Sequence, residues 1–328
     1  MSWNRRRWLA AAGASLCVAA RSQAEPTAMM LTATDVHVPG YPTVEALRWI
    51  GTTLLKESDG RLCLHLYHSG QLGRESDAID MARFGALDIA RVHISALNNP
   101  FPATQILSLP YVFEDTAHMR RALDGAPGQR IREAFAAREL IGLAFYDSGA
   151  RCVYNTRHAV HTPADLHGLK LRVPPSDIFM DLLRTLGANP TPLPYGETYS
   201  ALQTHLIDGA ENNWQSFHTT RQFEVAHYWS QTEHSFAPEA LLMSQRRYDA
   251  MAPADRDLLR DVVARSVPYM RELWDRSENA SRDFVLGHGV NFNEVDRPAF
   301  RHAAAPVMER FLRDPLLQQL HKSIRDLA

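Results

Sequence analysis

The chain has 328 residues and a formal net charge of −2 at pH 7, from 35 basic and 37 acidic side chains. A mildly acidic protein has no electrostatic reason to bind nucleic acid or an anionic lipid surface, so any anion-binding site must be a local basic pocket. The length suits two domains of ordinary size.

Residues 1–24 have the features of a cleaved export signal. Three arginines at 5–7 precede a short apolar stretch, and Ser22–Ala24 resembles a signal-peptidase site. The apolar stretch is shorter than the roughly 20 residues that a transmembrane helix needs. Asn4–Leu9 also resembles a twin-arginine signal, so the sequence leaves both export routes open.

The chain after the export signal begins with a predicted β-α-β-α-β series. Strands are predicted over residues 28–34, 61–67 and 87–93, and helices over residues 44–54 and 75–84. The first helix is indicated by Val44, Leu47 and Ile50, which are spaced to share one apolar face. Gly85 suits the left-handed cap that ends the second helix. This alternation predicts parallel strands with helices on both faces of a sheet.

A second series begins near residue 143, with strands predicted over residues 143–147 and 152–155. Thr162-Pro163 indicates a helix start. Residues 240–243 are apolar again and are predicted to form a strand of the first domain, which implies crossings between domains near Ser148 and Pro238. Residues 254–287 are predicted to form one helix with a kink at Pro268. The predicted domains are residues 25–148 with 238–275, and residues 149–237 with 276–328.

Residues 168–217 carry the strongest functional signal. One arginine, Arg172, and two amides, Asn212 and Asn213, stand at predicted strand ends, where an open α/β sheet receives its ligand. Gly168–Arg172 has a G-x-K-x-R spacing that resembles the extracytoplasmic solute-binding proteins of TRAP (tripartite ATP-independent periplasmic) transporters, the DctP-type family. The resemblance also covers Gly70–Gly73, Gly85–Asp88 and Ser108–Tyr111, and so takes in nearly the whole mature chain.

This resemblance implies an α/β fold of two domains, a type II-like periplasmic-binding-protein fold with mostly parallel sheets flanked by helices. It also implies a long helix that bridges both domains, and residues 254–287 suit that role. Members of the family capture an organic acid in the periplasm for the membrane components of a transporter. We therefore expect a monomeric periplasmic binding protein that is not an enzyme and has no cofactor, metal or nucleic-acid partner.

The second domain is expected to hold the carboxylate of the ligand. An arginine binds a carboxylate by two parallel charge-assisted hydrogen bonds, a geometry that lysine cannot reproduce. The resemblance assigns this role to Arg172. Arg151 matches a second arginine that often contacts ligand in relatives; its alternatives are to orient the neighbours of Arg172 or to bridge the domains. Asn212 matches another ligand contact, while Asn213 suits either ligand binding or a turn in which it caps its own backbone.

The first domain is expected to supply the opposite side of the site. Glu75 matches an acidic position that contacts ligand in some relatives, and a carboxylate accepts bonds from hydroxyls but repels a second carboxylate. Asp35 and His37 follow the first predicted strand, and His93 ends the third, at the edge where a cleft forms. Arg91 lies on the same strand face as His93, with pairing to an acid at the edge of the core as its alternative.

The predicted ligand is a hexuronate, because one anion clamp with many hydroxyl partners suits a monocarboxylate with several hydroxyls. Tyr195 matches an aromatic residue that packs against ligand in relatives, and Trp214 suits either a sugar face or the protein core. Asp208–Trp214 and Thr232–Ser235 resemble the hexuronate-binding branch of the family, which implies glucuronate or galacturonate. The open alternatives are a C4-dicarboxylate, a hydroxy or keto acid, and a receptor that presents ligand to a sensor.

A uronide-processing enzyme is a further alternative. The chain has no G-x-S-x-G elbow, H-E-x-x-H pair or glycine-rich phosphate loop. Glu211 and Glu233 are candidates for an acid–base pair, but nothing in the sequence sets their separation. Histidines at 158, 161 and 167 resemble the spacing of metal ligands only superficially, because no cysteine or carboxylate stands at a matching spacing from them.

The mature chain keeps two cysteines, Cys63 and Cys152. Export to an oxidising compartment permits a disulfide, but connectivity is not a property of sequence. Their positions on separate predicted strands favour two free thiols.

Overall fold

The structure, a computed structural model, describes residues 28–328, so the predicted export signal lies outside the described residues. The strands are β1 (Met29–Thr34), β2 (Leu62–Tyr67), β3 (Ile89–His93), β4 (Leu140–Tyr146), β5 (Arg151–Asn155), β6 (Lys170–Val173), β7 (Asn189–Pro192), β8 (Gly209–Asn212), β9 (Tyr228–Ser235), β10 (Glu239–Ser244) and β11 (Asn291–Glu294). The helices are α1 (Pro42–Glu57), α2 (Glu75–Arg83), α3 (Thr116–Asp124), α4 (Ala126–Ala134), α5 (Asp177–Thr185), α6 (Thr198–Gln203), α7 (Trp214–Thr219), α8 (Gln245–Asp249), α9 (Pro253–Gly287), α10 (Arg297–Phe311) and α11 (Pro315–Arg325). The predicted helix start at Thr162-Pro163 produces only a short 3-10 helix, Pro163–Leu166.

The strands form two sheets, and the chain passes between them twice. The first sheet has the order β2-β1-β3-β10-β4 and the second the order β11-β9-β5-β8-β6-β7. The passages lie between β4 and β5 and between β9 and β10, close to Ser148 and Pro238. Both sheets are mixed, because β5 and β10, the strands that follow a passage, pair antiparallel with their neighbours, whereas the other described pairs are parallel. We call the elements packed on each sheet the first and second lobes; together they form the predicted two-domain fold.

Helix α1 illustrates how apolar spacing places a helix on its sheet. Val44, Leu47 and Ile50 are fully buried and share a core with Leu31 of β1. Burying one such side chain contributes about 1.5–3 kcal/mol. The predicted apolar face is therefore the face that holds α1 against the first lobe.

The long helix α9 packs on both lobes, as the resemblance implies. Leu259 and Met270 lie in the core of the first lobe, and Val285 lies in a core of the second lobe. Pro268 lies inside this helix of 35 residues. No helix in the described part of the chain is long and apolar enough to cross a membrane. Because α9 contacts both lobes, a movement of one lobe relative to the other must bend or slide along this helix.

The two C-terminal helices pack in different places. Helix α10 lies against α5 and β9 of the second lobe, whereas α11 lies against α4, next to α3. The ring Nε2 of His118 in α3 donates to the carbonyl oxygen of Ile324 over 2.8 Å. Residues 276–328 were predicted to belong to the second domain. The apolar face of α11, with Leu317 and Ile324, lies in the same core cluster as Leu123 of α3. The domain boundaries stay a prediction.

The two cysteines of the described chain are free thiols on different sheets. Cys63 is half-buried in β2 of the first sheet, and Cys152 is buried in β5 of the second sheet. This placement agrees with the preference for two thiols.

Candidate functional site

A cavity lies between the two lobes at the ends of several strands. The first-lobe wall comes from the segments that follow β1 and β3 and from the start of β10, and the second-lobe wall comes from β5, β6 and β8. The cavity contains about 330 Å³ of empty space, counting space that is open to solvent. Strand ends of this kind are where open α/β folds receive ligands. The lining residues are Val36, His37, Glu75, His93, Ser95, Arg151, Arg172, Pro174, Tyr195, Asn212, Ser216 and Glu239.

The structure brings most of the predicted site residues to this cavity. His37, Glu75, His93, Arg151, Arg172, Tyr195 and Asn212 line it. The remaining predicted residues, Asp35, Arg91, Asn213 and Trp214, are not among the lining residues and lie behind the walls. In these four residues, other protein groups already occupy the ring face or most of the polar atoms that a ligand would use.

Arg172, in β6, is a buried cation without an anionic partner. The residue is only 3% exposed, and its Nε donates to the carbonyl oxygen of Leu193 over 2.9 Å. Within residues 28–328 its Nη groups make no hydrogen bond and no ion pair. Burial lowers the pKa of Arg172, although the nearby charge of Glu211 acts in the opposite direction. The two free Nη groups make Arg172 the group in the cavity best prepared for an anion.

Arg151, in β5, is by contrast already paired. Its Nε and Nη2 donate to the two carboxylate oxygens of Glu211 over 2.6 and 2.8 Å. Burial alone would raise the pKa of Glu211, but Arg151 and then His234 lower it to about 2. Only Nη1 of Arg151 points elsewhere: it donates to Asn212 Oδ1 over 3.1 Å and lies 3.3 Å from His93 Nε2. Arg151 therefore offers an incoming anion less than Arg172 does.

Arg91 lies behind the first-lobe wall, held by three carboxylates. Its Nη2 donates to Asp35 Oδ1 over 2.5 Å, and its Nη1 donates to Glu239 Oε2 over 2.5 Å and to Glu75 Oε1 over 3.3 Å. Burial alone would lower the pKa of Arg91, but these carboxylates hold it well above its usual range. Asp35 also accepts from Thr43 Oγ1 over 2.6 Å. Arg91 and Asp35 thus support the wall. Arg91 pairs with acids, as in the second of the two roles considered for it from the sequence.

Two histidines in the wall are neutral. His37 Nδ1 lies 2.9 Å from Asp35 Oδ1, and because a carboxylate only accepts, Nδ1 carries the proton and Nε2 keeps a lone pair. His93 Nδ1 accepts from the Ser95 backbone N–H over 3.2 Å and lies 2.5 Å from Ser95 Oγ, while its Nε2 lies 3.3 Å from Nη1 of Arg151. Burial and nearby arginines lower the pKa of both histidines. The wall therefore presents acceptors for hydroxyl groups.

The two asparagines have different surroundings. Asn212 Oδ1 accepts from Arg151, and its amide nitrogen has no hydrogen-bond partner in the described chain. Asn213 is the N-cap of α7: its Oδ1 accepts from the Ser216 backbone N–H over 2.7 Å, and its Nδ2 donates to the Ser148 carbonyl oxygen over 2.8 Å. Asn213 therefore caps α7 and also links it to the chain passage at Ser148. Capping is the alternative to ligand binding that the sequence left open.

The two predicted aromatic residues also differ. Trp214 stacks on Trp229 with 3.6 Å between ring centroids and belongs to a core of the second lobe. Its ring face is covered by protein, so it is a core tryptophan. Tyr195 lines the cavity edge-on to His37, at 5.1 Å between ring centroids. Burial raises the pKa of Tyr195 to about 12, so its hydroxyl is protonated and available for hydrogen bonding.

Comparison with known proteins identifies the family. The model for bacterial extracellular solute-binding proteins of family 7 (DctP) matches residues 34–314. The chain belongs to this family. The resemblance predicted from the sequence is thus confirmed, and the protein is a solute-binding protein.

Its relatives include proteins with known ligands. A TRAP periplasmic solute-binding protein from Bradyrhizobium, solved in complex with α/β-D-galacturonate, has 46% identity and a TM-score of 0.89, over 91% of this chain and 100% of that one. A homologue from Chromohalobacter salexigens, solved with bound D-glucuronate, has 37% identity and a TM-score of 0.89 over 91% and 100%. The 2,3-diketo-L-gulonate-binding periplasmic protein YiaO of Escherichia coli is 30% identical over 84% of this chain and 86% of its own.

Glu239 is the most consequential wall residue of this solute-binding protein that the sequence analysis did not name. It is 2% exposed, opens β10 opposite His93, and its Oε1 accepts from Ser148 Oγ over 3.1 Å. Burial raises the pKa of Glu239 more than Arg91 lowers it. The feature of the sequence that could have identified Glu239 is its position directly after Pro238, where the chain was predicted to cross between domains. The other unpredicted lining residues are Val36, Ser95, Pro174 and Ser216.

Proposed function

We propose that this protein captures a hexuronate, such as D-galacturonate or D-glucuronate, in the periplasm for the membrane components of a TRAP transporter. The observation that carries the proposal is the buried, unpaired guanidinium of Arg172 in the cavity between the lobes. A buried charge without a partner is costly, and a ligand carboxylate would remove that cost. We propose that the protein acts as a monomer.

The remaining wall residues suit the hydroxyl groups of a sugar acid. Glu75, Glu239 and the lone pair on His37 Nε2 accept hydrogen bonds, and the Asn212 amide nitrogen donates one. Ligand hydroxyls would satisfy both kinds of group at once. The bound homologues support this proposal, since two of them hold a galacturonate or a glucuronate.

Capture would proceed by closure of the lobes about the two chain passages and α9. Contacts already cross between the lobes, including a hydrogen bond of 2.8 Å from Asn98 Nδ2 to Ser176 Oγ. Ligand bound to both walls would favour this closed arrangement, and the transporter would recognise it. Such a protein changes conformation without chemical conversion of its ligand.

The alternatives fit the cavity less well. A C4-dicarboxylate would bring its second carboxylate to a wall that already contains Glu75 and Glu239. An open-chain keto acid remains closer to the hexuronates in chemistry, and one relative carries 2,3-diketo-L-gulonate in its name. The candidate acid–base pair of a uronide-processing enzyme is not in the cavity wall, since Glu211 pairs with Arg151 and Glu233 with Arg297 at 2.6 Å.

Titration calorimetry with matched sugars tests the proposal. D-Galacturonate and D-glucuronate should bind the mature protein, whereas D-galactose and D-glucose, which lack the carboxylate, should bind at least about 100-fold more weakly. Succinate and 2,3-diketo-L-gulonate complete the panel. Equal binding of galacturonate and galactose would contradict the arginine clamp, and binding of succinate alone would contradict the hexuronate assignment.

A further inference from the structure

A second space, here called the outer chamber, adjoins the cavity between the lobes, which is here called the inner cavity. The outer chamber contains about 1430 Å³ of empty space and the inner cavity about 330 Å³, and both volumes include space that is open to solvent. The two spaces share wall residues, and Arg172 is one of them. The shared residues are Val36, Glu75, Ser95, Arg172, Pro174 and Tyr195.

The second-lobe wall of the outer chamber is rigid and mainly apolar. It is formed by Pro174, Pro175, Pro192, Pro194 and the ring of Tyr195. Proline has a fixed φ angle and no N–H group, so this wall offers flat hydrocarbon faces and has little freedom to lose when a ligand binds. Such faces suit the face of an aromatic or sugar ring.

Apart from Arg172, which a hexuronate carboxylate would pair with, the charges that border the outer chamber are already balanced. Arg74 of the first lobe and Glu197 of the second lobe form an ion pair of 3.2 Å across it, and both residues line the chamber. Glu75 shares its carboxylate with Arg91. An uncharged group therefore suits this chamber better than a second carboxylate.

We propose that the outer chamber binds an uncharged ring joined to the hexuronate through its anomeric carbon, so that hexuronate glycosides are ligands as well as the free sugar acid. This inference rests on the proposed function. In a hexuronate the anomeric carbon and the carbon that bears the carboxylate both flank the ring oxygen, so a glycosidic group leaves the sugar on the same edge as the carboxylate. With the carboxylate on Arg172, that edge faces the junction between the two chambers.

Two positions allow the outer chamber to be filled without altering the inner cavity. A Cβ added to Gly196 would meet no heavy atom within 4 Å, and the φ angle of Gly196 is not in the positive range that side chains avoid. Ala96, on the first-lobe side, lines the outer chamber but not the inner cavity. Gly196→Leu and Ala96→Leu therefore reduce the outer space from opposite walls.

The experiment compares D-glucuronate, phenyl β-D-glucuronide and a disaccharide of glucuronate linked to neutral glucose, by calorimetry on the mature protein. At least one two-ring ligand should bind within about tenfold of glucuronate. Gly196→Leu or Ala96→Leu should weaken binding of that ligand by about tenfold or more and binding of glucuronate by less than about twofold. Gly196→Ala should change neither affinity. The phenyl and glucosyl ligands distinguish an aryl from a sugar partner.

Two results would overturn the inference. One is that both two-ring ligands bind more than about tenfold more weakly than glucuronate, and the other is that the filling variants weaken binding of glucuronate as much as binding of the longer ligand. If neither glucuronate nor galacturonate binds at all, the proposed function itself fails, and that outcome is separate from a failure of the outer chamber.

Discussion

Replacement of Arg172 by alanine tests the feature on which the proposed function depends. The residue is 3% exposed and has no ion-pair partner within residues 28–328, so a ligand carboxylate would be its counter-ion. Removal of one partner of a buried, hydrogen-bonded charge pair costs about 2–5 kcal/mol. We therefore expect Arg172→Ala to weaken hexuronate binding by about two to three orders of magnitude.

The neighbouring arginine should not compensate for this loss. Arg151 is bound through two nitrogens to Glu211, and turning it toward the ligand would leave that buried carboxylate unpaired. Arg172→Lys keeps the positive charge but loses the planar fork and the Nε bond to Leu193, so its effect should be smaller, about one order of magnitude.

The same substitution should leave the free protein about as stable as the wild type. Arg172→Ala removes one hydrogen bond, worth about 1 kcal/mol, and also removes a buried charge that has no partner. A large loss of stability without ligand would mean that Arg172 supports the fold. This comparison separates a binding role from a structural one.

Calorimetry with D-galacturonate and urea unfolding without ligand provide the two measurements. Arg184→Ala is the matched control, because Arg184 is an exposed arginine at the end of α5 in the same lobe. It should change neither quantity. An affinity of Arg172→Ala within about threefold of the wild type would refute the reasoning, whatever the effect on stability.

Three further predictions concern the charged residues around the cavity. Arg91→Met should destabilise the free protein by about 3–5 kcal/mol in urea unfolding, because it leaves buried carboxylates unpaired; a loss below about 1 kcal/mol would contradict this role. Glu211→Gln should also lower the free energy of unfolding. The difference in this free energy between wild type and variant should shrink as pH falls from about 5 toward 2, because folding lowers the pKa of Glu211 from 4.5 to about 2. A difference that does not change with pH would show that Glu211 is not held as a carboxylate. Glu239→Gln should reduce the preference for galacturonate over galactarate, its dicarboxylate analogue, by about tenfold, measured as a ratio of dissociation constants; an unchanged ratio would exclude Glu239 from selectivity.

Much of the fold could be predicted because its signals are local. The spacing of Val44, Leu47 and Ile50 predicts a buried helix face, and the alternation of strands and helices predicts two α/β units. The long helix with Pro268 was likewise visible as a continuous pattern. The packing of α11 beside α3 and α4 was not predictable, since the amphipathic pattern of a helix does not specify which of several apolar surfaces covers it.

The sequence by itself determined which residue types stand at the strand ends, and therefore most of the cavity wall. It did not determine which of the three arginines is free. Arg91 meets Glu239 from 148 residues away, and Arg151 meets Glu211 from 60 residues away, so their pairing exists only after the sheets have formed. Only the tertiary structure decides that Arg172 stays unpaired, because the charge state of a buried group depends on neighbours that are distant along the chain.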